Sequence, residues 1–390
     1  MKLSIIGFGQ CGGNITDEFY AVNNYAKSFF NRHIAILTDA FAVNTDEADL
    51  GGFRHIPKDK THRILIGAMS TFGHGVGKMN TEAAAIIKAC NSMVVDSIMK
   101  SQKFHESDAV ITIASGGGGT GSGTIGWAIK ALKERMDKPV YAIIVLPFAF
   151  EERGNTSYAV TNTATCINTV LRYADAVFLV DNERYRKPSA SMAQNLKETN
   201  QEIALSFYDL CCAGEETRQK YIGSKVVDAG DIKHSLQGIS ALGRGQIGLG
   251  AFRWSKEGFR EGVKEQSHVL GALRTAVGNL GLSVELEDAR KVLALVCAPK
   301  DTVTVSSVEE ISNFLQEKAP KAVVRIGDYP RRGKEVAITL IASEMAKVNR
   351  VERLFMQAED LFKKQHEISQ ETEVQIGQIM DLTRNIPTLD

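Results

Sequence analysis

Between Ser115 and Gly123 the chain reads SGGGGTGSG, six glycines in nine residues. Before it, the apolar, β-rich Ala109–Ala114 predicts a buried strand. After it, Ile125, Ile129, Leu132 and Met136 recur at helical spacing and predict a helix over Thr124 to Met136. The glycines therefore join a strand end to a helix start. Glycine admits positive φ and lets a ligand come close to the main chain. A helix start offers unpaired N–H donors and a partial positive charge, which suit phosphate. A Gly/Ser linker has similar composition, but linkers do not usually join a buried strand directly to an amphipathic helix.

A second unit of this kind opens the chain. Leu3–Ile6 predicts a strand, Gly7 to Asn14 a glycine turn, and Ile15, Phe19 and Val22 one face of a helix. Gly7, Gly9 and Gly12 match GxGxxG, so an NAD(P)-dependent oxidoreductase is one alternative. That fold expects an acidic residue at the tip of the next strand, and Asp39, after a strand at Ile34–Leu37, is the candidate. A short apolar segment then ends in Asn44, Thr45 and Asp46. Gly73, Gly75 and Gly77 lead into Lys78, but Met79 follows it and no Walker frame fits. A helix from Asn80 to about Lys100 comes next. Strands at Val140–Leu146 and Ala176–Val180 flank a helix over roughly Thr156–Tyr173 and deliver Glu151 and Asp181-Asn182. This alternation through residue 182 predicts an α/β fold, a parallel sheet with helices on both faces. Its polar loops all follow strands, so they gather at the carboxyl edge, where open sheets bind ligands.

A long helix from about Ser189 to Cys212 contains Asn195 and Asn200. Beyond it the composition changes. A polar loop carries Asp228 and Asp231, and Gly243, Gly245, Gly248 and Gly250 mark turns beside a strand at Ile247–Trp254. A helix near Gly262–Leu280 and another around Val308–Glu317 accompany strands at Lys291–Cys297, Ala322–Ile326 and Val336–Ala342. These predict a second, smaller α+β domain on a mixed or antiparallel sheet. From Lys347 the tail is helical, with Val351, Leu354, Ala358 and Leu361 facing the second domain, and it loosens after Glu371. The domains expected are 1–188 for ligand binding, 189–212 as a connecting helix, 213–345 as the C-terminal domain and 346–390 as helix and tail.

Lys+Arg and Asp+Glu number 46 each, so no global charge draws the chain to nucleic acid or an acidic membrane. The six cysteines form no CxxC pair and no regular spacing, so they suggest neither a disulfide frame nor a zinc site and fit a reduced, cytoplasmic setting. The longest apolar run, Val140–Phe150, is too short to be a transmembrane segment.

Two glycine loops that each open a helix can hold successive phosphates of one ligand. Asn44, Thr45 and Asp46 offer hydroxyl and carboxylate contacts to a hydrated Mg²⁺. Asn182 and Asn200 carry amides, which donate and accept and so can read a guanine edge; an Asn at a strand end also serves as a cap. Asp228 and Asp231 admit two readings. One is a solvated loop with Asp231 capping a short helix ahead of Ile232–Leu236. In the other, the long helix carries them away from their own ligand and toward a phosphate on a neighbouring molecule.

Taken together the loops resemble the tubulin/FtsZ superfamily. Gly117–Gly123 is similar to its GGGTG(S/T)G phosphate loop, and Gln10-Cys11-Gly12 to tubulin's first loop. Ala42–Asp46 and Pro147–Glu151 are similar to FtsZ, and the combination resembles the CetZ branch of archaeal FtsZ-like proteins. The resemblance implies GTP or GDP bound by Gln10, Cys11, Gly12, Gly13 and Asn14 and by Gly118, Gly119, Thr120 and Gly121. It implies ribose or base contacts from Glu151, Asn182 and Asn200. Asp228 and Asp231 would be the catalytic acids, inserted at the next subunit's Mg²⁺-bound triphosphate in a head-to-tail filament of this chain with itself. The expected function is a cytoskeletal GTPase; the alternative within the superfamily is a non-hydrolysing, GTP-binding assembly regulator. Val226 stands where FtsZ has an Asn, Leu196 where an aromatic often stacks on the base, and Arg153 lies two residues after Glu151 instead of four. No FtsZ-type linker and adaptor peptide is recognisable. These departures point to cell shape rather than to the division ring.

Overall fold

The computed structural model describes residues 1–28, 31–153, 158–249, 258–300 and 302–383, with side chains of 258–267, 369–374 and 376–383 excepted. The first half runs β1 (Leu3–Phe8), α1 (Gly9–Lys27), β2 (Leu37–Asn44), α2 (Glu47–Gly51), β3 (Arg63–Leu65), α3 (Ala68–Thr71), α4 (Asn80–Met99) and α5 (Gln102–His105). It continues through β4 (Ala109–Ser115), α6 (Thr120–Lys133), β5 (Val140–Leu146), α7 (Tyr158–Val170) and β6 (Ala176–Asp181). The second half holds α8 (Met192–Ala213), α9 (Ala229–Ser235), β7 (Gly238–Gly248), α10 (Gly258–Gly278), β8 (Lys291–Ala298), α11 (Val305–Lys318), β9 (Val323–Pro330), β10 (Glu335–Ser343) and α12 (Asn349–Thr383).

Among the described residues the strands form one ten-stranded sheet, ordered β3-β2-β1-β4-β5-β6-β7-β10-β8-β9. From β3 to β6 all pairs are parallel. Both faces of β4 and β5 are covered, so their apolar runs are continuous instead of alternating. On one face α1 and α8 pack through Phe19, Phe178 and Phe207, whose rings lie 5.7 and 5.3 Å apart. On the other, α4, α6 and α7 bury Ile87, Val94, Ile125, Ile129, Val160 and Ile167. The expected doubly covered parallel sheet is present.

Within the sheet the two halves are joined by three residue pairs, Ala176–Gly238, Val177–Ile239 and Phe178–Ser240. Beyond this seam β10 runs antiparallel to β7 and β8, and β8 parallel to β9, the expected mixed sheet. The position of β7 differs from expectation. It spans Gly238–Gly248 instead of starting at Ile247, and residues 250–257 lie outside the described residues. Gly243 and Gly245 are strand residues, not turns. A Cβ on them would come within 2.4 Å of the Ala276 carbonyl oxygen and 2.1 Å of that of Ala272, so α10 rests directly on the strand backbone.

Three further differences have physical causes. The segments expected as a strand at Ile34–Leu37 and an apolar stretch at Phe41–Asp46 merge into β2, so Asp39 is a strand residue and not a strand tip. It is 5% exposed and bonds His62 Nε2 at 3.1 Å and the Ser101 hydroxyl, which leaves it no ribose. The tail helix α12 continues to Thr383 and packs on α7 of the first half, not on the second domain. Arg350 at its start pairs with Glu152, on the loop after β5, and, at 3.0 Å, with Asp181, the last residue of β6. Finally, α9 begins three residues earlier than expected. Its cap is Asp228, with Asp231 completing a capping box.

Candidate functional site

Phe8, Asn44, Ser115 and Leu146 end β1, β2, β4 and β5, all at the carboxyl edge. The sheet order turns back between β1 and β4, and that switch point is where open α/β sheets form a binding crevice. A cleft of about 280 Å³ lies there, lined by Gly9 to Cys11, Asn44, Asp46, Asp49, Gly75, Lys78, Gly117 to Gly121, Pro147 and Glu151.

Two helices start in it. Neither α1, preceded by Phe8, nor α6, preceded by Gly119, has a side-chain cap, so their first N–H groups remain for a ligand. The starts abut. Gly9 has φ +69, and a Cβ there would sit 3.0 Å from the Gly121 nitrogen. Gly118 lines the cleft, and a Cβ on it would meet no protein atom within 4 Å. The glycine loop is tied from behind. Asn162 Nδ2 donates to the carbonyls of Lys78 (2.8 Å) and Gly118 (3.1 Å). Lys78 is held at φ 68, an unusual conformation for a residue with a side chain.

The acidic side of the cleft centres on Asp49, which the sequence reading missed. Its carboxylate accepts from Gln10 Nε2 at 2.7 Å and Asn44 Nδ2 at 3.0 Å. Burial, and then the neighbouring Asp46 charge, hold it above the ordinary carboxyl range against those two amides. Asp46 caps α2 by accepting from Asp49 N at 3.0 Å. The hydroxyls of Thr45 and Thr120 are 2.7 Å apart and join the two loops. Among the described residues no three His, Cys, Asp or Glu side chains could hold a metal by themselves. That donor set fits Mg²⁺ carried in by phosphates, with Asp46 and Asp49 as the nearby carboxylates, and not an all-protein cage. Burial, and then Glu151, push the Cys11 thiol up to about 12, so it stays protonated at the cleft wall.

The cleft thus gathers Gln10, Cys11, Asn44, Asp46, Gly118, Gly119, Thr120, Gly121 and Glu151. Gly12, Gly13, Asn14, Thr45, Asn182 and Asn200 are outside its lining. Gly12 faces the Ile113 carbonyl and Gly13 the Phe53 ring, where a Cβ would clash at 2.1 and 2.2 Å. Asn14 is exposed on α1, and Asn200 is half-buried on α8. Asn182 is 7% exposed, and its Oδ1 is buried with no hydrogen-bond partner, an acceptor left for an N–H donor. Gly75 and Lys78 line the cleft as well, at the end of the glycine-spaced run Gly73–Lys78.

Asp228 and Asp231 do not reach this cleft. Asp231 N donates to Asp228 Oδ1 at 2.8 Å, and Arg325 Nη1 lies 3.6 Å from Asp231 Oδ1. The chain passes from α9 directly into Gly238, which pairs with Ala176 at the start of β6. The two acids therefore sit at the amino edge of the sheet. The 22 residues of α8, about 33 Å of helix, run between the two edges.

A family model for the GTPase domain of the Tubulin/FtsZ family matches residues 2–188, and one for the C-terminal domain of tubulin-like CetZ matches residues 189–360. The tubulin-like protein CetZ1 of Haloferax volcanii is 32% identical over 371 residues, covering 91% of each chain. CetZ3 of the same organism is 30% identical, covering 91% of this chain and 90% of its own. The solved GDP-bound monomer of Haloferax volcanii CetZ1 superposes with a TM-score of 0.78 at 31% identity, covering 92% of this chain and 98% of that one. The GTPgS-bound protofilament of its CetZ2 gives 0.79 at 28% identity, covering 94% and 100%. With the sheet order, the switch-point cleft and these matches in agreement, the chain belongs to the CetZ family of tubulin-like proteins.

Proposed function

We propose that this chain is a cytoplasmic, filament-forming GTPase whose hydrolytic site is completed by the next subunit, in the service of cell shape. One observation carries the reading: the phosphate-suited cleft and the two candidate acids lie at opposite edges of one sheet. Head-to-tail stacking brings one subunit's amino edge onto the next one's cleft, a heterologous contact that propagates without closing. The GDP and GTPgS in the titles of the CetZ1 and CetZ2 structures support a guanine nucleotide as ligand.

In this reading residues 1–188 hold the nucleotide, and residues 213–345 present the acids at the far end of the connecting helix. The N–H groups opening α1 and α6 bind the phosphates. The unpartnered Asn182 Oδ1 accepts from a guanine N–H, with Asn200 alongside. Asp46 and Asp49 would lie nearest a Mg²⁺ ion entering with the triphosphate, and that ion would offset part of the triphosphate's negative charge. Asp228 and Asp231 of the incoming subunit orient a water for in-line attack and accept its proton.

Turnover per molecule should then rise with protein concentration and level off once filaments dominate, as read by phosphate release alongside light scattering. A flat profile would indicate a self-contained site. Gly118→Val should fill the open face of the loop and leave the thermal midpoint almost unchanged. It should weaken GDP binding at least about tenfold, or about 1.4 kcal/mol, in a fluorescent-nucleotide titration. Unaltered affinity would remove this loop from the phosphate site.

A further inference from the structure

We propose that a second cavity, between α8 and the C-terminal sheet, binds a small oxyanion of the phosphate class. The cavity measures about 50 Å³ and is lined by Arg32, Asp209, Arg244, Arg331, Arg332 and Glu335, among others. Arg32 follows α1, Asp209 lies on α8, Arg244 on β7, Arg331 and Arg332 at the β9–β10 turn, and Glu335 at the start of β10. Both halves of the molecule contribute.

Its charge is unbalanced. Asp209 gives one oxygen to Arg32 Nη2 and the other, at 3.1 Å, to Arg244 Nε. Glu335 is turned to the Gln246 amide. Arg331 and Arg332 have no carboxylate of their own among the described ion pairs. The Cys297 thiol at the wall is pushed well up by burial, so it stays neutral and supplies no counter-charge.

The decisive feature is Arg32, 6% exposed, whose Nε and Nη1 are buried without a hydrogen-bond partner. Arg331 Nη1 is buried and unpartnered too. A buried guanidinium normally has its donors satisfied, because each one left open costs about 1–3 kcal/mol or more. The rings of Tyr208 and Tyr329 lie 4.0 and 5.3 Å from the Arg32 guanidinium carbon, which leaves its in-plane N–H edge for bonding. Both forks of a guanidinium include Nη2, which Asp209 holds, so the open Nε–H and Nη1–H would each give a separate charge-assisted bond to an anion. The volume is roughly four times the 10–15 Å³ that one water requires, which suits a four-oxygen ion. Such an ion would join Arg32 of the first half to Arg331 of the second. This proposal does not rest on the GTPase reading.

The test uses the full chain saturated with GDP, so that the carboxyl-edge cleft is not open to the probe. Inorganic phosphate at low millimolar concentration, followed by ³¹P line broadening and by thermal midpoint, should bind one ion per chain and raise the midpoint. Chloride at matched ionic strength should do neither. Arg331→Gln, at a half-exposed turn position, should keep the fold and weaken phosphate binding at least tenfold. Phenyl phosphate separates the sources: competition that needs Arg331 identifies an esterified phosphoryl group, and its failure beside bound phosphate identifies the free ion. No binding, or equal binding by the natural chain and Arg331→Gln, overturns the proposal and leaves the cavity to water.

Discussion

Asp231→Ala is expected to bind GTP as tightly as the natural chain and to turn it over at least tenfold more slowly, with filaments that persist. The binding half follows from distance: Asp231 is at the amino edge, separated from the cleft by the length of α8. The turnover half follows from chemistry. A positioned carboxylate that takes a proton in the transition state contributes about 10²–10⁴-fold, so tenfold is a lower bound. A folding defect is not the expected cause. The main cap of α9 is the Asp228 carboxylate, which accepts from the residue 231 backbone N–H and survives the change. What is lost is the weaker return bond to Asp228 N, at 3.5 Å, and a half-exposed pairing with Arg325 at 3.6 Å, which contributes little. Hydrolysis assayed at assembling concentrations, beside nucleotide affinity and filament length, decides it. Undiminished turnover would remove the acids from the reaction.

The largest expected effect on stability is at Asp209. This carboxylate is 1% exposed and holds Arg32 and Arg244. Asp209→Asn keeps the shape but removes the charge, and breaking one side of a buried pair costs about 3–5 kcal/mol. The denaturant midpoint should fall accordingly. The pH dependence has a definite sign. Burial alone would raise this carboxyl, but Arg32 and then Arg244 overcome it and hold it below its ordinary value. Its contribution is therefore complete above the unfolded carboxyl's value of about 3.9 and is lost as pH falls through the folded value. The gap between natural chain and variant should narrow below about pH 4. A gap that stays constant into acid would mean that the pair is not what the mutation removed.

The glycine loop between β4 and α6 was legible because its information is local. SGGGGTGSG lies between two strongly patterned segments, and strand, turn and helix are each specified within a few residues. β4, β5, α4, β8 and α11 were legible for the same reason. The failures are non-local. Gly243 and Gly245 suggest turns until α10 is seen lying on them, thirty residues later in the chain. Asp39 suggests a strand tip until β2 continues past it. Asp49 needs Gln10 and Asn44 from two other segments to become a cleft residue. Arg32, Asp209, Arg244 and Arg331 share no spacing, and only tertiary packing makes them a cluster. Arg350 pairs with Glu152 across 198 positions, a contact no local pattern could reveal.

The junction of β6 with β7 has a mechanical consequence. A plate bends where its bonding is shortest, and between the two halves that line is three residue pairs long. Torque applied across a subunit, by a neighbour gripping either end, would be concentrated on Ala176 to Phe178. The rest of the plate on each side would move nearly as a rigid panel. Bending there would be resisted by α8 packed on α1, and by Arg350, which clasps Glu152 and Asp181 from the start of α12.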